Sequence, residues 1–238
     1  YLQTEFFYKC GEQNAVNIVH IAALPFLSYC HYNGHCEEYQ YYFEKTEILP
    51  KPIWHTGVDF VNADFQQEQF FLLYSLNPKI NFEQSLVLAV LNAIIGDTMS
   101  SRLFQSLREN SGFCYNVYSF VNLFIDCGFW CFYATSSKSN CLNVANNLIK
   151  KVDEFFVNEI TEQELNYAKQ HLCGEEIMSS DDMEQRMKQM ARFYFSGYEQ
   201  YSHEDIIKKI EKISVQDLYD FINNIKVNLK KSLIIYGP

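Results

Sequence analysis

Residues 99–119 read MSSRLFQSLRENSGFCYNVYS. Met99, Leu103, Phe104 and Leu107 recur at helical spacing, so the stretch predicts a helix over 99–110. Gly112 closes it as a left-handed cap would. From Tyr115 onward, aromatic and β-branched residues predict a strand. A helix ending on Arg108 and a strand opening on Tyr115 are therefore seven residues apart. One account is local: Arg108 meets the negative end of the helix dipole and Tyr115 packs. The other is chemical: the two side chains form a clamp for a polypeptide. Spacing alone leaves both accounts open.

Working outward, residues 54–59 and 68–75 predict strands, and 82–95 a helix. CYNVYSFVNLF and GFWCFYATSS form a strand pair around the turn at 126–128. Helices dominate thereafter. Val144, Ala145, Leu148, Ile149, Val152, Phe155 and Phe156 make one apolar stripe. Thr161 with Glu164 is a capping box opening a helix through Leu165, Ala168 and Leu172. Met183, Met187, Met190 and Tyr194 stripe another. Ser202 with Asp205 and Ser214 with Asp217 start two more, and KKSLIIYGP is a closing strand. Without strict βαβ alternation, the class is α+β, an antiparallel-rich sheet covered by helices. Ahead of this domain, residues 1–52 hold a strand-like segment, a helix near Pro25 and a polar linker running to Pro52. They read as the end of a preceding domain, which places the second domain at 53–238.

Composition narrows the function classes. The chain has 238 residues, 48% of them hydrophobic and 16% aromatic, enough for a packed core. Its net charge of −10, with no densely basic stretch, argues against nucleic acid or an anionic membrane as partner. The longest apolar run, 86–95, is about half of what spans a bilayer. YLQTEFFYKC lacks the basic region, apolar core and cleavage site of a signal peptide. A cytoplasmic location is expected, with an organelle matrix as the alternative. Eight cysteines without a CxxC pair read as reduced core thiols.

Several sites are excluded or weak. The glycines stand at least sixteen residues apart, which removes glycine-rich phosphate loops. GxSxG is absent. His31 and His35, in HYNGH, have the i, i+4 spacing of zinc ligands, with Cys30, Cys36 and Glu37 nearby. Gly34 occupies the place of a general-base glutamate, however, and Asn33-Gly34 favours a turn. Ordinary linker residues are the better account. His171 and Cys173, two apart on a helix, cannot face one ligand. Glu175, Glu176, Asp181, Asp182 and Glu184 read as a solvated helix junction.

From residue 53 to the end, the chain resembles the C-terminal domain of the pitrilysin (M16) zinc metallopeptidases, including the mitochondrial processing peptidase. Residues 99–119 are similar to the family's signature segment, and ITEQELNYAKQHLCG to its acidic-start helix. MEQRMKQMARFYFSGYEQYSHEDIIKKIEKISVQDLYDF resembles the two following helices, and SLIIYGP the closing strand. Gly96-Asp97-Thr98 departs from the run of glycines that the family often carries there. The zinc motif HxxEH and its downstream glutamate, which family members carry in the N-terminal domain, are missing here.

The resemblance implies a LuxS/MPP-like metallohydrolase fold and the second half of a zinc endopeptidase. Zinc would belong to the complete enzyme and to no residue of this segment, which is expected to be inactive alone. The partners implied are a peptide or protein substrate and a zinc-binding domain in the same or another chain. Arg108 would bind substrate; Tyr115 would bind substrate and act catalytically, donating to the oxyanion. The alternative is a non-catalytic scaffold subunit of the same fold.

Overall fold

The computed structural model describes residues 52–77, 79–124 and 127–237. Five strands form one sheet: β1 (Gly57–Asn62), β2 (Glu68–Leu76), β3 (Asn116–Leu123), β4 (Gly128–Ser136) and β5 (Lys231–Gly237). Their order is β1-β5-β2-β4-β3. β2 runs antiparallel to β4 and β5, and β3 antiparallel to β4; only β1 lies parallel, beside β5. The helices are α1 (Phe82–Asn92), α2 (Cys141–Phe155), α3 (Glu162–Ser180), α4 (Met183–Ser196), α5 (His203–Lys212) and α6 (Val215–Lys226). The predicted α+β class, an antiparallel-rich sheet covered by helices, is the fold observed.

β2 shows why the sheet has a helix-bearing face. Phe70, Leu72 and Tyr74 are buried, while Gln69, Phe71 and Leu73 between them are half-buried. The first set joins Trp130, Phe132 and Ala134 of β4, Leu88 and Leu91 of α1, Val144 and Leu148 of α2, and Leu218 and Phe221 of α6 in one core. A period of two on the strands and of 3.6 on the helices brings these residues together. On the opposite face, Tyr133 lies 4.9 Å from Phe71 and 4.8 Å from Tyr118, ring centre to ring centre.

Capping follows the predicted signals. Thr161, Ser202 and Ser214 each accept the amide of the acidic residue three positions later. The hairpin of β3 and β4 and the closing strand also stand where expected.

Five differences have physical causes. The first strand begins at Gly57 rather than 54, because its pairing with β5 starts at Gly57↔Ser232. The helix predicted over 82–95 is α-helical only to Asn92 and then widens into a π turn, Ala93–Asp97. The helix predicted over 99–110 is π-helical across Phe104–Glu109. Met99 sits outside it and is 77% exposed, so it is not on the packed face. On α4 the predicted stripe points outward: Met183, Met190 and Tyr194 are exposed, and Phe193 is the buried residue. A separate aromatic cluster of Phe82, Phe193 and Tyr201 holds that helix from its other side. Finally, Glu176 is not a solvated junction residue, since its Oε1 meets His203 Nδ1 at 2.6 Å and accepts from Gln189 Nε2 at 2.9 Å. The assignment of residues 1–52, and with it the reading of His31, His35, Cys30, Cys36 and Glu37, falls outside the described residues apart from Pro52.

Candidate functional site: the Arg108–Tyr115 turn

Arg108 lies in the last turn of the π segment Phe104–Glu109, where its charge faces the carbonyl end. Its side chain is exposed, and the guanidinium sits 4.9 Å from the centre of the Phe104 ring. That contact holds the guanidinium over an aromatic face. The π turn then closes through two backbone bonds. Gly112 N–H donates to Arg108 O, and Phe113 N–H to Leu107 O, both at 3.1 Å. Gly112 has φ +61, which a glycine adopts without steric cost.

Tyr115 enters the sheet through a bulge-like junction. Its amide donates to Thr135 O at 2.9 Å, and the next amide, Asn116 N–H, donates to Thr135 Oγ1 at 3.2 Å. Two consecutive residues of one chain thus converge on one residue of β4, an arrangement that re-aims side chains at a strand end. Tyr115 is 57% exposed. Between the two candidates, Cys114 is buried; burial pushes its thiol up to about 11, against the opposing pull of the Arg108 charge. The predicted pair is held at the two ends of one locked turn, with both side chains outward.

The start of the segment is tied down as firmly. Arg102 donates to Glu164 Oε1 from Nε (2.6 Å) and to Oε2 from Nη2 (2.8 Å), and Nη2 also reaches Glu159 O (2.6 Å). Burial raises the Glu164 carboxyl, but the Arg102 bonds and those from Thr161 outweigh it and hold it at about 2. A cavity of about 600 Å³ opens beside this pair, between the loop at Thr98–Ser101 and α3, lined by Gln163, Tyr167 and His171 among others. Sequence reasoning missed Arg102 and Thr135. Phe104 under Arg108 was legible in principle, since i, i+4 residues meet on a helix.

No group of three or more histidine, cysteine or acidic side chains stands together to hold a metal ion among the described residues. These residues do not fit a zinc site.

Residues 37–172, more than half of the chain, match the family described as the Peptidase M16 inactive domain. The chain belongs to this family. A Rickettsia felis protein named as an uncharacterized zinc protease is 28% identical over 195 residues, covering 82% of this chain and 47% of its own length. The crystal structure of a peptidase M16 inactive domain from Pseudomonas fluorescens superposes with a TM-score of 0.69 at 18% identity, over 81% of this chain and 46% of that one. A protease from Helicobacter pylori gives 0.66 at 16% identity, over 84% of this chain and 51% of that one. At such identity these structures speak to the fold alone. The M16 inactive-domain chain thus spans about half the length of the Rickettsia relative.

Proposed function

We propose that this M16 inactive domain is the substrate-holding half of a zinc-dependent endopeptidase whose metal site lies in another segment or chain. The observation that carries the reading is the turn itself: an exposed arginine fork and an exposed phenol, seven residues apart, with the backbone between them fixed at both ends. Arg108 offers several donors in a rigid plane, suited to two carbonyl oxygens of an extended peptide. Tyr115 offers one O–H donor. As the scissile carbonyl becomes tetrahedral, its oxygen gains negative charge, and a phenol already in place stabilises that charge without reorganising. The relatives' zinc-protease names support hydrolysis as the activity of the complete protein. A purely scaffolding role leaves the exposed ring and the exposed fork without a use.

The test is kinetic and uses the complete peptidase. Tyr115→Phe keeps the ring and removes the donor, so kcat falls roughly 100- to 1,000-fold while KM changes little. Arg108→Ala raises KM as well, because it holds the ground-state peptide too. Full turnover in Tyr115→Phe refutes the proposal. If the losses instead follow a lower melting temperature, the pair only packs.

A further inference from the structure

The close approach of β3 to the end of α1 leaves no room for a side chain at Gly96. A Cβ added there would stand 2.4 Å from Ser119 Oγ, 2.7 Å from Ser119 Cβ and 2.8 Å from Ser119 N. The last of these atoms belongs to the strand backbone, so the strand itself would have to move. One turn earlier, buried Asn92 binds both strands of the hairpin. Its Oδ1 accepts from Ser119 Oγ at 2.7 Å and from Trp130 Nε1 at 2.8 Å, and its Nδ2 donates to Ser119 O at 3.3 Å. An indole nitrogen can only donate, which fixes the amide's orientation. Ser119 and Trp130 are 1% and 0% exposed, so no water substitutes for these bonds. The π turn Ala93–Asp97, which begins directly after Asn92, is what carries Gly96 onto the strand.

Among the described residues β3 pairs with β4 alone, at the edge of the sheet, so no second strand holds it on its outer side. Ser119 lies four residues from Tyr115, about 13 Å along the strand. We infer that Gly96 and the Asn92–Ser119–Trp130 node are positioning residues that set where the Tyr115 hydroxyl stands. The inference rests on the reading of Tyr115 as the oxyanion donor. A methyl group at Gly96 pushes Ser119, and with it the strand that leads back to Tyr115. An error of this kind of about 1 Å costs on the order of a hundredfold in rate.

A double-mutant cycle in the complete peptidase tests it. Gly96→Ala should lower kcat about 10- to 100-fold with KM held, and the loss should nearly vanish in a Tyr115→Phe background, where there is no hydroxyl left to misplace. Ser119→Ala, which creates no clash, runs through the same cycle with an expected loss of about three- to tenfold. It decides the matter where Gly96→Ala does not fold. A loss that multiplies unchanged onto Tyr115→Phe overturns the inference, as does full kcat in both single variants. Full activity in Tyr115→Phe by itself removes the oxyanion reading and this inference with it, an outcome visible before any cycle is closed.

Discussion

Replacing Glu164 by glutamine isolates the charge in the anchor at the foot of the Arg108 segment. The carboxylate receives two Arg102 bonds, at 2.6 and 2.8 Å, and two from Thr161, both at 2.9 Å. Holding it at about 2 instead of 4.5 corresponds to about 3 kcal/mol at neutral pH. Both side chains remain 27–30% exposed, so water screens the pair and about 2 kcal/mol is the expected cost of Glu164→Gln. Glutamine also serves in a capping box, so the helix start survives. The folded-state value lies below the unfolded one, so this stabilisation is complete above about pH 5 and is lost as pH falls through about 2. Urea unfolding of wild type and variant at pH 7, 4 and 3 reads it directly. The gap should be widest at pH 7 and less than half as large by about pH 3. A gap that stays constant with pH, or none at pH 7, would refute the reasoning.

Two further outcomes follow from local geometry. Gly112→Ala places a Cβ at φ +61 and should cost about 1–2 kcal/mol, lowering the melting temperature without altering the unfolding slope. Cys131 is fully buried and its thiol is pushed up by burial, so alkylation of the native chain at pH 8 should leave it unmodified while half-buried Cys173 reacts. Mass mapping that finds Cys131 labelled first would contradict the packing.

Much of the domain was legible from residue order because its determinants are local. Alternation in EQFFLLYSL and the stripe from Val144 to Phe155 depend only on which side of an element faces apolar neighbours. The caps at Thr161, Ser202 and Ser214 act within three residues, so they could be read directly. Arg108 and Tyr115 could be named as candidates from spacing and resemblance. Their fixed setting could not, because it depends on Thr135, twenty residues further along, which receives both amides at the start of β3. The π turns were likewise invisible. The first of them brings Gly96 against Ser119 across the fold, next to the Asn92 bond to the same residue, and an apolar period of 3.6 does not register such a contact. Glu176 was misread for the same reason: its partners, Gln189 and His203, come from two other helices. Residue order determined the elements, their caps and the candidate pair, through interactions a few residues long. Only the tertiary structure decided where those elements touch, because burial, pairing register and backbone approach arise between segments far apart in the chain.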